Sequence, residues 1–166
     1  MMRSVLVAFS LFGLVAAGDA AAGIETREVY VNITGPELQK LLRKLGYPAA
    51  LSADRQGDPL IQSSTSGKKF QILFYTCNKS PVRECVSVQI AAGFRMDKPP
   101  TIFKLNDWNA KWRYTRAVRT KTGAVRIYSD LSFAGGVTEA SVKRRLRVFA
   151  LRLVDFRKYI GFDQPQ

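Results

Sequence analysis

The chain has 166 residues, of which 46% are hydrophobic and 23% charged. This is the composition of one ordinary globular domain, and it excludes a disordered tail and a collagen-like chain. The sequence contains no histidine, so triad hydrolases, zincins and zinc deaminases have no candidate residues here. Twenty-six Lys and Arg against thirteen Asp and Glu give a net charge of +13, which indicates an acidic partner, an anionic surface, or solubility alone.

The first 22 residues have the pattern of an export signal. Arg3 supplies a positive start, residues 5–17 form an uncharged apolar run, and small residues follow at Ala16, Gly18, Ala20 and Ala22. This order is typical of a cleaved secretory signal, and the run is shorter than the roughly 20 residues of a membrane-spanning helix. We expect residues 1–22 to be removed. Residues 23–166 would then form a single α+β domain, periplasmic or secreted by a bacterium, with no transmembrane segment.

A first helix is predicted after a short alternating stretch at residues 29–33. Thr34 has the position of an N-cap, Pro36 lies in the first turn, and Glu37 completes a capping box. Leucines at helical spacing predict the buried stripe of this helix: Leu38, Leu41, Leu42 and Leu45. Short strands are expected next, over residues 50–53 and 60–64.

Cys77 and Cys85 flank a seven-residue loop between two alternating segments, which predicts a β-hairpin. An even number of cysteines in an exported protein is most simply explained by a disulfide. By the parity of the strands, both cysteines should lie on the polar face, where a disulfide would join the two strands at the base of the loop. A redox-active pair is the alternative, although that chemistry is typical of Cys-x-x-Cys at a helix start.

A second helix is predicted over residues 103–112, with Phe103, Trp108 and Trp112 packed on the sheet. Another hairpin follows, with strands near residues 114–119 and 125–133. The last helix starts near Thr138, and its apolar residues recur at spacings of four and three: Val142, Leu146, Phe149, Leu153, Phe156 and Ile160. The elements therefore predict an α+β fold in which helices pack an antiparallel sheet, in the order helix, strands, helix, hairpin, helix.

Several short motifs stand in a fixed order over residues 35–160: Asp58-Pro59-Leu60-Ile61, Phe74-Tyr75, Cys77, residues 85–89, Ala92-Gly93-Phe94, residues 106–109, Asp130-Leu131 and Gly135-Gly136-Val137. In their order and spacing, these motifs resemble the YbjN family of bacterial sensory transduction regulators. The resemblance implies a fold similar to that of type III secretion chaperones. It also implies regulation or chaperone-like protein binding rather than catalysis. The export signal departs from the family's cytosolic regulators and argues against a direct role in transcription.

Two polar groups are candidate sites. Asn106, Trp108 and Asn109 combine amides with an aromatic ring and could form a small recognition patch. Alternatively, Asn106 caps a helix end and Trp108 lies in the core. Asp130, with Arg113, Arg116 and Arg126 near it in sequence, suggests a buried or half-buried ion pair across neighbouring strands.

Positive charge is concentrated in the second half of the chain. Residues 24–94 carry nine basic and six acidic groups, whereas residues 95–166 carry sixteen and six. Six arginines are therefore candidates for binding an anion: Arg113, Arg116, Arg119, Arg144, Arg145 and Arg147. A solvated basic face without a dedicated ligand is the alternative.

The sequence supports two hypotheses about function. The first is an exported, non-enzymatic adaptor or chaperone-like protein that holds a protein partner, alone or as a homodimer. The resemblance adds to this hypothesis a role in regulating envelope stress or signalling. The second is a basic protein that recognises anionic lipid, polysaccharide or nucleic acid through its C-terminal half. Nucleic acid is the least expected ligand, because no nucleic-acid-binding motif is recognisable. We expect no catalytic residues, no cofactor and no metal site.

Overall fold

The computed structural model describes residues 28–163 and confirms the α+β class, with three helices and a seven-stranded antiparallel sheet. The predicted signal segment lies outside these residues. The elements are β1 (Val29–Tyr30), β2 (Ile33–Thr34), α1 (Gly35–Lys44), β3 (Ala49–Ala53), β4 (Pro59–Thr65), β5 (Lys68–Cys77), β6 (Glu84–Phe94), α2 (Ile102–Lys111), β7 (Arg116–Arg119), β8 (Val125–Ser132), β9 (Val137–Thr138) and α3 (Glu139–Ile160). The order of helices and hairpins is the predicted one.

The large sheet has the strand order β3-β4-β5-β6-β8-β7, and β2 adds to β6 beyond the end of β8. Every pair is antiparallel. A separate two-stranded sheet joins β1 to β9. Neither the β1–β9 pair nor the β2–β6 pair was expected, because two-residue strands leave no periodicity in a sequence.

Helix α1 begins as its capping signal predicts. The Thr34 backbone N–H donates to Glu37 Oε2 at 2.8 Å, and the Glu37 N–H donates to Thr34 Oγ1 at 3.3 Å. Leu38, Leu41 and Leu42 are buried, and Leu45 is half-buried against the same core. The capping box and the leucine stripe together place α1 on the sheet.

Helix α3 packs one continuous apolar stripe into the core. All six residues of its predicted stripe are buried. The Phe149 ring meets Phe70 of β5 at 5.7 Å between centroids, and the Phe156 ring meets Phe94 of β6 at 5.6 Å. These edge-to-face or tilted contacts fix α3 across the central strands.

Helix α2 corrects one prediction, because Phe103 does not pack on the sheet. Its side chain is 82% exposed, whereas Leu105 and Trp108 are buried and Trp112 is half-buried. A helix turns by 100° per residue, so Phe103 lies about 140° around the axis from Trp108. The face that buries Trp108 therefore turns Phe103 to solvent.

Cys77 and Cys85 form the predicted disulfide, between residues paired directly across β5 and β6. The expectation that both lie on the polar face is wrong for Cys85, which is fully buried, while Cys77 is half-buried. Two causes are visible. Thr76 has a positive φ of 55°, which interrupts the alternation of β5, and Ile33 of β2 pairs with Cys85 and covers it.

Removing this disulfide should lower the free energy of unfolding without changing the fold. The bond closes a loop over a sequence separation of eight residues, so the loop-entropy relation gives a loss of about 2.5 kcal/mol. We expect this loss for the double variant Cys77→Ser/Cys85→Ala in urea unfolding. Alanine is chosen for the buried position so that no hydroxyl is left unpaired there. A reduced wild-type protein that is as stable as the oxidised one would contradict the prediction.

Candidate functional site

The connection between α2 and β7 makes a sharp corner at Tyr114. The backbone of Tyr114 has a φ of 70°, a left-handed conformation that is uncommon for a residue with a bulky side chain. Its ring remains 53% exposed. Strand β7 begins two residues later, and its pairing with β8 starts at Arg116 opposite Tyr128. Tyr114 therefore stands at the edge of the sheet, beside the part of β8 that β7 does not reach.

Arginines surround this tyrosine. The Arg145 guanidinium of α3 lies 5.0 Å from the ring centroid of Tyr114, and that of Arg113 lies 5.8 Å from it. The Arg116 guanidinium lies 4.7 Å from the ring centroid of Tyr128. Cation–π contacts of this kind hold the charged groups near the protein surface while leaving them able to meet an anion.

Two cavities adjoin the corner and share Tyr114 and Arg145. The first, of about 210 Å³, is also lined by Leu131, Ser141, Arg144 and Val148. The second, of about 260 Å³, is also lined by Thr115, Arg116, Tyr128, Ser129 and Asp130. We call these two cavities, together with Arg113, the Tyr114 cleft.

The Tyr114 cleft carries four guanidinium groups and one carboxylate. That carboxylate, Asp130, already has partners, because Arg116 Nε lies 3.4 Å from Oδ2 and Gln89 donates to Oδ1 at 2.6 Å. No carboxylate within residues 28–163 forms an ion pair with Arg113, Arg144 or Arg145. The cleft therefore has uncompensated positive charge.

Two buried hydroxyls border the second cavity. Thr115 Oγ1 and Ser129 Oγ have no hydrogen-bond partner in the described part of the chain. Their residues are only 8% and 2% exposed. Buried polar groups without a partner are rare in folded proteins, so this corner has unused capacity for hydrogen bonds.

The six predicted arginines fall into two groups. Arg113, Arg116, Arg144 and Arg145 belong to the Tyr114 cleft. Arg119 lies at the other end of β7, opposite Val125, and Arg147 lies near Tyr47, where its charge lowers a tyrosine pKa that burial raises. Arg119 and Arg147 are exposed and take no part in the cleft.

The predicted recognition patch is not formed as a surface. Trp108 is 1% exposed and packs against Phe156 at 4.8 Å between ring centroids. Asn109 uses its amide on the neighbouring strand, because its Nδ2 donates to the Ala117 carbonyl at 3.0 Å and its Oδ1 accepts from the Ala117 N–H at 2.7 Å. Asn106 is exposed and lies within α2, so it caps no helix end. The alternative therefore holds for Trp108, which lies in the core, but not for Asn106. The structural role of Asn109 was not expected.

The ion pair expected at Asp130 exists, but it is not buried. Asp130 pairs with Arg116, and the two side chains are 56% and 51% exposed. The sequence could not distinguish Arg116 from Arg113 and Arg126, because only the strand register places Arg116 beside Asp130.

Sequence reasoning missed Tyr114, Thr115 and Ser129. Tyr114 was treated as the start of a strand, and nothing in its neighbours announces a left-handed residue. The nearest signal is that Trp112 and Tyr114 are interleaved with Arg113 and Arg116. This pattern is compatible with binding of single-stranded nucleic acid, but it does not predict a left-handed corner.

The sheet also holds a larger depression of about 700 Å³. It extends across β3 to β8, with Gln62, Gln71, Ala91, Gly93 and Arg126 in its lining. Arg126 and Lys69 are its only charged lining groups. It lacks the concentration of charge that distinguishes the Tyr114 cleft.

Comparison with known families gives one match. The family described as "Putative bacterial sensory transduction regulator" matches residues 35–162, which is close to the range over which the sequence motifs showed their resemblance. No curated protein matches the chain at significant similarity. None of the helices in residues 28–163 is long and apolar enough to cross a membrane.

Asn109 and Asn106 provide a matched test of the structural role that the hydrogen bonds give to Asn109. Asn109→Ala should lower the free energy of unfolding by about 1 to 2 kcal/mol, because it leaves the N–H and C=O of buried Ala117 without their partner. Asn106→Ala changes the same residue type on the same helix and should shift stability by less than about 0.5 kcal/mol. Chemical denaturation measures both, and equal effects would mean that Asn109 is not a structural residue.

Proposed function

The chain belongs to the YbjN family, and on that premise we propose that it is a non-enzymatic regulator that binds an acidic segment of a protein partner. The observation that carries this proposal is the Tyr114 cleft, where four arginines face one carboxylate that already has partners. The family description supports a regulatory role. The complete lack of histidine supports binding rather than catalysis.

The side chains of the cleft are suited to carboxylates. A guanidinium can donate two parallel hydrogen bonds to one carboxylate, which gives direction as well as attraction. Tyrosine and arginine are also the residues most enriched where protein partners contribute binding energy. An acidic segment would therefore meet both charge and contact area at Tyr114.

The lining of the first cavity favours a protein partner over a simple anionic surface. Leu131 and Val148 lie beside Arg144 and Arg145, so the cavity offers apolar contacts next to charged ones. A peptide can supply both kinds of group at neighbouring positions, whereas lipid headgroups and acidic polymers supply mainly charge.

A second candidate is the binding of an anionic lipid or polysaccharide surface. It is favoured by exposed basic residues outside the cleft, which include Arg119, Lys143, Arg147 and Lys158. Such a surface would use all of these charges to a similar extent, since long-range attraction depends on net charge more than on position. The two candidates therefore differ in which arginines contribute to binding: those of the Tyr114 cleft alone, or all the exposed basic residues.

Paired charge reversals separate these candidates. The probe is a fluorescent ten-residue peptide of alternating Glu and Val, with acetylated and amidated ends. Arg144→Glu/Arg145→Glu should weaken its binding at least about tenfold, measured by fluorescence anisotropy near 0.15 M salt. Arg119→Glu/Arg147→Glu makes the same change in net charge outside the cleft and should weaken binding less than about threefold.

Equal losses of peptide affinity in the two double variants would mean that binding depends on net charge, which would support the second candidate. The same variants titrated with vesicles that contain about 30% anionic lipid test that candidate directly. Strong vesicle binding by wild type and weak peptide binding would overturn the cleft as a protein-binding site.

We also propose that the protein is exported and works outside the cytoplasm. The disulfide supports this proposal, because such bonds persist mainly in oxidising compartments. We expect the protein in the periplasmic fraction or the medium, with a mature N-terminus between Gly18 and Gly23, as measured by fractionation and N-terminal sequencing. Recovery of the full-length chain in the cytoplasm with two free thiols would contradict export.

A further inference from the structure

Strand β8 has one edge that is only half covered. Along β6 it pairs over its whole length, from Phe94 opposite Val125 to Ser87 opposite Ser132. Along β7 it pairs only from Val125 to Tyr128. Residues 129–132 therefore have no neighbouring strand on that side within the described chain.

The direction of the backbone groups on this edge follows from two hydrogen bonds. The Phe133 N–H donates to the Val86 carbonyl of β6, and the Ala124 carbonyl accepts from the Thr120 N–H on the β7 side. Backbone groups in an antiparallel strand point to alternate sides. Asp130 and Ser132 consequently direct their N–H and C=O groups to the uncovered side.

The corner at Tyr114 is the reason that the edge is uncovered. Its left-handed backbone turns the chain away from β8 before it could pair with Asp130. Uncovered edges are templates for an additional strand. This one is four residues long and faces the Tyr114 cleft.

We infer that the acidic segment of the partner binds as an added β-strand beside residues 129–132. This inference rests on the proposed function and specifies how the Tyr114 cleft is used. The backbone of the segment pairs with the N–H and C=O groups of Asp130 and Ser132, a mode in which main-chain bonds give affinity and pockets for alternate side chains give specificity.

The two cavities lie where alternate side chains of such a strand would point. Successive side chains of a strand face opposite sides of a sheet. On the side of α3, the first cavity presents Arg144, Arg145 and the apolar Leu131. On the other side, the second cavity presents Arg116 and Tyr128. The segment is therefore extended, with acidic side chains at alternate positions that reach Arg144 and Arg145.

A second copy of this chain does not fit the same edge. Pairing two copies through residues 129–132 would bring two sets of four arginines together, and like charges at close range are unfavourable. Charge complementarity thus selects an acidic partner of a different sequence.

The test uses Ser132 and the alternating Glu and Val peptide described above. Ser132→Pro removes the N–H that the added strand would need, at an edge position where proline is tolerated. Ser132→Ala is the matched control, since both variants lose the bond that Ser132 Oγ accepts from the Ala134 N–H. We expect at least about tenfold weaker binding for Ser132→Pro and less than about twofold for Ser132→Ala.

A second measurement does not depend on the folding of a variant. Peptides N-methylated at every Glu or at every Val block opposite edges of the added strand, so only one of them should lose binding to the wild-type protein. NMR hydrogen exchange should show the amides of Asp130 and Ser132 protected by the unmodified peptide.

The outcomes separate the two proposals. Binding that requires Arg144 and Arg145 but ignores N-methylation and Ser132→Pro would overturn the added strand and leave the acidic partner standing. Loss of binding by both N-methylated peptides would also count against the added strand, because that strand pairs with β8 through only one of its edges. Absence of peptide binding by wild type at millimolar concentration, or peptide binding unaffected by Arg144→Glu/Arg145→Glu, would overturn both proposals.

Discussion

The contacts of Phe156 hold α2 and α3 in one arrangement on the sheet. Its ring packs on Phe94 of the sheet and on Trp108 of α2, at 5.6 and 4.8 Å between centroids. With Phe149 on Phe70, these contacts fix the rotation of α3 about its axis. Because residues on a helix have fixed angular positions, burying this stripe also decides which arginines of α3 reach the sheet edge and which face away. The positive cleft is thus a consequence of core packing.

Local signals predicted the parts of the fold whose cause is local. The capping box at Thr34, the stripe of α3 and the cysteine hairpin each depend on residues close in sequence, and each was confirmed. The prediction for Phe103 was wrong because three aromatics were counted as one face, although helical geometry separates Phe103 from Trp108. The burial of Cys85 could not be foreseen either, since it depends on β2, a strand of two residues.

The candidate site was predictable only as a set of residue types. Charge density indicated all six arginines, but their division into two groups depends on the tertiary structure. Arg145 reaches Tyr114 because α3 crosses the sheet, and Arg116 reaches Asp130 because of the β7–β8 register. The corner itself depends on a left-handed tyrosine, a conformation that sequence statistics assign to glycine or asparagine.

The small β1–β9 sheet has a consequence for the order of assembly. Val29 pairs with Thr138, the N-cap of α3, so this contact closes a loop of more than one hundred residues. Closing so long a loop has a large entropic cost, and contacts of high sequence separation form late. We therefore expect the first strand to attach after the rest of the domain has assembled. Because the pair has only two residues on each strand and Val29 is 52% exposed, we also expect it to separate from the start of α3 locally, without global unfolding.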